Sequence, residues 1–284
     1  LESITRIIDE VKPDFIFHLA AQALVSVSYS DPIETLETNI NGTTNILEAL
    51  KQSNHHCVGI FITSDKCYDN VEWEWGYREN DKLGGDEIYS ASKASCELIT
   101  SSYNKSFYSN YNKVGLATAR SGNVIGGGDW SLNRLVPDIF KSIITKKKLE
   151  VRNPHHIRPW LHVLDPLYGY MILAEKLYKF PKEYSSSWNF GPSGKPNSVI
   201  EVLDTFKKFT KVEFTIKPTK KNSFYESSYL MLNSSKSKKY LKWKPLLSTN
   251  DSVRLCAEWL NEYINQKNMN LITEKQINYY NNLK

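Results

Sequence analysis

Short apolar runs at residues 15–19, 58–63, 114–119 and 188–190 alternate along this chain with longer stretches of helical periodicity. Leu1, Ile4, Ile7, Ile8 and Val11 share one helical face that Pro13 stops, and Leu36, Ile40, Ile46, Leu47 and Leu50 mark a second helix. Further helices are predicted over 89–108, over 134–145 and from Asp165, with a short strand at 160–163. Runs that are apolar throughout, not alternately, suit strands buried on both faces. Strands separated by helices suit a parallel sheet covered on both sides. The expected fold class is therefore α/β, a doubly wound parallel sheet. After Gly191-Pro192 the composition turns polar and lysine-rich, so a smaller mixed α/β domain is expected over 192–284, following a sheet domain over 1–191.

In such sheets ligands sit beyond the carboxyl ends of the strands. The chemically useful residues fall there, at 18–22, 63–66 and 120–123. A Tyr-x-x-x-Lys pair, Tyr89 and Lys93, opens the helix after the second strand. Residues four apart share a helix face, so the ammonium would favour the phenolate and lower a pKa ordinarily near ~10. Asp65 and Lys66, adjacent at a strand end, can fan into one pocket as an acid/base pair. No glycine precedes Gly42, and no G-x-x-G-x-x-G phosphate loop occurs. The run Gly126-Gly127-Gly128 reads as a loop and not as a dinucleotide cradle.

The net charge is +5, with lysine runs at 146–148, 220–221 and 236–239. These runs are separate and lack interleaved aromatics, so they read as solvated faces and no nucleic-acid partner is expected. The longest apolar runs are too short to span a bilayer and no signal-peptide pattern is present, so no membrane partner is expected. Four scattered cysteines without a C-x-x-C pair fit reduced thiols in the cytoplasm. His55-His56 and His155-His156 are neighbours pointing apart, and no metal site is expected.

His18-Leu19-Ala20-Ala21-Gln22, Asn39-x-x-Gly42-Thr43-x-Asn45, Tyr89-x-x-x-Lys93, Arg120-x-x-Asn123-Val124 and Arg158-Pro159-Trp160-Leu161-His162-Val163 occur in that order. Together they resemble the extended short-chain dehydrogenase/reductase family acting on nucleotide sugars. Thr63-Ser64-Asp65-Lys66-Cys67-Tyr68, the stretch Glu72-Trp73-x-Trp75-Gly76-Tyr77-Arg78-Glu79, Gly126-Gly127-Gly128-Asp129-Trp130 and Arg152-Asn153-Pro154 look like its CDP-glucose 4,6-dehydratase branch. The resemblance implies a Rossmann-type sheet, NAD as cofactor and CDP-glucose as substrate. It implies catalytic roles for Ser64, Asp65, Lys66, Tyr89 and Lys93. Leu19, Ala20, Ala21, Gln22, Thr63, Tyr89 and Lys93 would hold the cofactor. Asn123, Arg134 and Arg158 would hold the nucleotide phosphates and base within an insert near 123–160, while Arg120 reads either as a further phosphate ligand or as a surface salt-bridge or turn residue. By position Asp65 would protonate the leaving C6 hydroxyl and Lys66 abstract the C5 proton, with the reverse division left open. Related dTDP-glucose dehydratases carry Asp-Glu there. Trp73 and Trp75 read either as walls of the sugar pocket or as core. The family's glycine loop belongs to a βαβ unit that this chain lacks, so an N-terminally truncated member is expected, whose activity is open. Another nucleotide-sugar epimerase or dehydratase, and an inactive fragment, stand as alternatives. Family members pair through helices, so a homodimer or homotetramer is expected.

Overall fold

The computed structural model describes residues 1–53, 55–108, 114–217 and 227–284. Lys220 and Lys221 of the second basic run lie outside the described residues. In chain order the elements begin with α1 (Glu2–Val11), β1 (Phe15–His18), α2 (Val25–Ser30), α3 (Pro32–Leu36) and α4 (Gly42–Gln52). Then come β2 (Cys57–Ile62), α5 (Ile88–Tyr103), β3 (Val114–Ser121), β4 (Val124–Ile125) and α6 (Leu135–Thr145). They continue with β5 (Leu149–Val151), β6 (Ile157–Arg158), β7 (Leu161–His162), α7 (Leu164–Lys179), α8 (Pro181–Tyr184) and β8 (Ser187–Phe190). The last are β9 (Asn197–Ser198), α9 (Val199–Phe209), β10 (Phe214–Ile216), α10 (Thr249–Ile264) and α11 (Met269–Asn281).

The chain divides into two compact units: residues 1–121, 168–190 and 232–243 form the first, and 122–167, 191–231 and 244–284 the second. Residues 122–167, which hold the insert expected near 123–160, thus cluster with the second unit, and 232–243 return to the first.

The first unit is built on a four-stranded sheet in the order β1-β2-β3-β8, parallel throughout, with Phe15 opposite Val58, Cys57 opposite Val114 and Thr118 opposite Ser187. All eight residues of β3 are buried, in keeping with a sequence that is apolar up to Ala119 apart from Thr118. One sheet face sends Cys57, Phe61, Val114 and Leu116 into a core with Leu47 and Leu50 of α4 and Ile8 of α1. The other face meets α7 and α8: a Cβ at Gly115 would lie 2.9 Å from Leu177 and 3.1 Å from Pro181. Helices therefore cover both faces of the central strands, the doubly wound Rossmann-type arrangement. β1 departs from the expectation of a buried strand, because Phe15 and Phe17 are exposed, Phe15 meeting the tilted ring of Tyr178 with centroids 5.1 Å apart. The helix expected over 89–108 ends at Tyr103 and continues as a π-helical turn, Asn104–Tyr108. Lys236, expected on a solvated face, is half-buried and donates to Ser186 Oγ (2.9 Å) and Ser187 O (2.7 Å).

The second unit has its own core, in which Phe140, Val202, Phe206, Val253, Cys256 and Leu260 are fully enclosed. Its strands pair in twos: β4 with β7 and β5 with β10 in parallel, β6 with β9 antiparallel. Among the described residues no helix is long and apolar enough to cross a membrane.

Candidate active site

At the end of β2 the chain passes through Thr63 and extended Ser64 into a tight turn, Asp65–Cys67. Ser64 closes that turn from both sides: its Oγ accepts from the Lys66 amide (3.2 Å) and donates to Asp65 Oδ1 (3.0 Å). Asp65 is only 4% exposed, whereas Lys66 reaches partly into solvent. Burial pushes the neighbouring Cys67 thiol far up, so it stays neutral and is no nucleophile.

Helix α5 packs against this turn. Its N-terminus is capped by Glu87, whose carboxylate accepts from the amides of Tyr89 (2.7 Å) and Ser90 (3.0 Å) and from Ser28 Oγ (3.3 Å). A carboxylate suits that position because it meets orphan amides and the positive end of the helix dipole. Tyr89 (8% exposed) thereby sits in the first turn and Lys93 (5% exposed) one turn on. Lys93 Nζ donates to the carbonyl of Ile62 at 3.2 Å, tying the helix to the strand that delivers Ser64. Burial holds Lys93 below the ordinary lysine range, against the pull of Cys96, Glu97 and Cys67. At the end of β1, burial and then the Lys93 charge bring His18 down to about 4, so its imidazole is neutral near pH 7. Its Nε2 lies 3.3 Å from Thr43 Oγ1.

Of the other residues expected near a cofactor, Thr63 is buried, Leu19 and Ala20 are exposed, and Ala21 and Gln22 are half-buried. The Gln22 side chain is committed internally, donating to Leu24 O (3.1 Å) and Thr35 Oγ1 (2.8 Å) and accepting from Leu24 N (2.6 Å). Asn39 locks this segment to α5, accepting from Gln22 N (2.8 Å) and donating to Gln22 O (3.0 Å) and Ser92 Oγ (2.8 Å). For a nicotinamide dinucleotide the donor set fits one end: an ammonium and a phenol one turn apart, beside the open Leu19–Ala20 backbone at parallel strand ends. The pyrophosphate end calls for a glycine turn between strand and helix, and residues 1–41 contain no glycine.

Of the two readings of Arg120, phosphate ligand and surface salt bridge, the structure gives an ion pair, and a buried one. Instead of facing a phosphate, it is 2% exposed and donates to Glu97 Oε2 (2.8 Å), Tyr68 Oη (2.7 Å) and Glu79 O (3.1 Å). Glu97, Glu87 and Asn39 were not identified by sequence reasoning as site residues. Glu97 had a signal available, since it continues the Tyr89–Lys93 face by one more turn. Trp73 packs at a tilt against Tyr77 (5.3 Å), which stacks on Tyr68 (5.1 Å), while Trp75 is 67% exposed and so is not core.

In the second unit Arg134 precedes α6 and pairs loosely with Asp129 (3.7 Å). Arg158 is buried on β6, donating to Ile157 O (2.8 Å) and His156 Nδ1 (3.2 Å). Asn123 is half-buried, and its carbonyl accepts from Leu161 N at 3.1 Å. The glycine run has a packing reason: a Cβ at Gly127 would fall 2.1 Å from the Trp259 ring. Trp259 in turn stacks on Phe140 and Tyr263.

The family model described as GDP-mannose 4,6 dehydratase matches residues 1–256. CDP-glucose 4,6-dehydratase of Salmonella typhimurium is 41% identical, over 98% of this chain and 79% of that protein. CDP-paratose 2-epimerase of Salmonella typhi is 24% identical, over 90% of this chain and 80% of that one. Among solved structures, UDP-glucose 4-epimerase of Thermotoga maritima superposes with a TM-score of 0.80 at 20% identity, covering 93% of this chain and 82% of the other. dTDP-glucose 4,6-dehydratase of Bacillus anthracis in complex with NAD gives 0.76 at 21% identity, covering 92% and 76%. The chain belongs to the GDP-mannose 4,6 dehydratase family, among the extended short-chain dehydrogenases/reductases.

Proposed function

We infer that this protein is a lyase, an NAD-dependent CDP-glucose 4,6-dehydratase that forms CDP-4-keto-6-deoxyglucose. The observation that carries the reading is the buried Asp65 in a Ser64-Asp65-Lys66 turn packed against the helix of Tyr89 and Lys93. An epimerase that only oxidises and re-reduces C4 has no need of the additional acid/base pair. The 41% identity to a CDP-glucose 4,6-dehydratase supports the choice of nucleotide.

Tyr89 takes the proton of the C4 hydroxyl, and Ser64 hydrogen-bonds the same oxygen. Lys93 favours the phenolate and holds the nicotinamide ribose, with Leu19, Ala20, Ala21, Gln22 and Thr63 lining the cofactor. Bound there, NAD would supply the acceptor for the C4 hydride and, once reduced, its donor to C6. The C4 ketone acidifies C5–H; Lys66 removes that proton and Asp65 protonates the departing C6 hydroxyl. As hydride returns to C6, Lys66 delivers a proton, exchanged with solvent, back to C5; one water leaves, and sugar and cofactor end redox-balanced. Asn123, Arg134 and Arg158 hold the nucleotide diphosphate, guanidinium groups being suited to two phosphate oxygens at once. In this reading residues 1–191 serve the cofactor and the chemistry, with the insert near 123–160 contacting the substrate, and 192–284 bind the nucleotide sugar.

The four cysteines are buried free thiols, which supports a reducing cytoplasmic setting, and the product class supports a role in polysaccharide biosynthesis. Exposed Tyr29, Ile33 and Leu98 on α2, α3 and α5 support pairing into a homodimer or homotetramer, to be read by sedimentation. The activity test is incubation of the full-length protein with CDP-glucose and NAD, followed by the alkali-dependent absorbance of a 4-keto-6-deoxy sugar. Product with CDP-glucose, and little with the UDP or dTDP sugars, is the expected result. Formation of a C4 epimer instead would overturn it.

A further inference from the structure

One carboxylate behind the site gathers donors from three neighbouring strands. Glu97 lies on α5 one turn beyond Lys93 and is fully buried. Its Oε1 accepts from Thr63 Oγ1, and its Oε2 accepts from Thr118 Oγ1 (2.6 Å), Arg120 Nη2 (2.8 Å) and Ser187 Oγ (2.9 Å). Thr63 is the residue just before Ser64. On the far side of the turn, Arg120 donates to Tyr68 Oη, and Tyr68 Oη donates to Asn189 Oδ1 (2.7 Å). The Ser64–Cys67 turn is thus held at its entrance through Thr63 and at its exit through Tyr68. Both ties converge on the Glu97–Arg120 pair, and Glu97 belongs to the helix that carries Tyr89 and Lys93.

We propose that Glu97 and Arg120 are positioning residues that set the register between the Tyr89–Lys93 helix and the Ser64–Lys66 turn. The proposal rests on the dehydratase reading for its kinetic consequences, while its geometric consequences stand without it. A buried ion pair is weak evidence of stability, because the desolvation of both charges offsets their attraction. Its value here is directional. A carboxylate with four donors and a guanidinium with three acceptors admit few alternative arrangements, so the helix cannot slide along the sheet without breaking several bonds together. The titratable and charged surroundings are Lys93 on the helix, Asp65 and the neutral Cys67 on the turn, the neutral His18 at the end of β1, and Glu79 and Lys236, which act electrostatically on the pair or its neighbours.

The test uses variants that keep volume and avoid an unpaired charge. Thr63→Val removes one donor to Glu97, Thr63→Ser restores it, and Tyr68→Phe removes the acceptor of Arg120. Ser198→Ala, at a helix cap in the second unit, serves as the destabilised control. Each full-length variant is assayed with CDP-glucose and NAD. The Tyr89 phenol is also titrated without substrate, as the absorbance difference between each protein and its Tyr89→Phe counterpart. Thr63→Val and Tyr68→Phe are expected to lower kcat by about ten- to a hundredfold, as sub-ångström misplacement does, with KM within about twofold. The Tyr89 titration should move up by about one pH unit as Lys93 shifts, and Thr63→Ser should restore it. Thr63→Val with a lower melting temperature but unchanged kcat and Tyr89 titration, as in the Ser198→Ala control, would overturn the proposal. If the wild type makes no dehydrated sugar while the titrations shift as described, the positioning role stands and the dehydratase reading falls.

Discussion

Lys93→Met keeps the buried stem of this side chain and removes the ammonium that acts on Tyr89. Its apparent acid-limb pKa for kcat should rise by about one unit or more, and kcat at neutral pH should fall by roughly 10²–10⁴-fold, the range for loss of a tuned general base. A pH–rate series with unchanged acid limb would remove Lys93 from that role. Arg120→Met strands the Glu97 carboxylate in the interior, with an expected loss of about 3–5 kcal/mol in a denaturant titration, most of it recovered when Glu97→Leu is added. Arg120 also shows where a sequence stops being legible. An arginine at a strand end fits a phosphate as well as a buried partner, and its partner is 23 residues earlier on another element. The placement of Tyr89 and Lys93 on one helix, and of Ser64 and Asp65 just past one strand, was legible because both are local properties.

Helices and strands of the first unit follow from local pattern: the apolar runs at β2 and β3 are buried on both faces, as parallel strands between helices must be. β1 escaped that logic, since a run of Phe and Ile gives no sign of which side chains stay exposed. The discontinuous units escaped it too, because return of residues 232–243 to the first unit depends on non-local pairing, such as that of Tyr77 with Leu232. In the second unit α9 begins with a reciprocal cap, Ser198 with Glu201, and α10 with Ser248 and Asp251. Ser198→Ala should cost about 1 kcal/mol and leave the pH–rate profile unchanged. Gly127→Ala drives a methyl group into the Trp259 ring, and should lower stability by roughly 1–3 kcal/mol with a red-shifted tryptophan emission. Unaltered emission and melting would refute the packing role given to the glycine run.

For the whole molecule, pH acts through groups that the fold keeps neutral. Burial lowers His162 to about 4, and burial with the Lys93 charge does the same for His18. The unfolded chain takes up protons at these residues near pH ~6.5 while the folded chain does not, so stability falls as pH drops from about 6.5 towards 4, by up to ~3 kcal/mol for each. Glu97 adds to the loss at lower pH: burial raises its carboxyl, but Arg120 and the hydroxyl donors hold it below the ordinary value. Glu79, Asp138 and Asp165, raised by burial, act in the opposite direction. His162→Gln should therefore make melting temperature depend less steeply on pH between 7 and 5. An unchanged slope would show that His162 does not titrate as assigned.

In the proposed reaction hydride moves within one sugar, and a solvent proton enters at C5. This is tested most directly by giving the full-length protein and NAD CDP-glucose deuterated at C4, and locating the label by NMR. The predicted result is deuterium at C6 of a 4-keto-6-deoxy sugar, with one solvent proton exchanged into C5. Deuterium returned to C4 of an intact hexose, in either configuration, would contradict it.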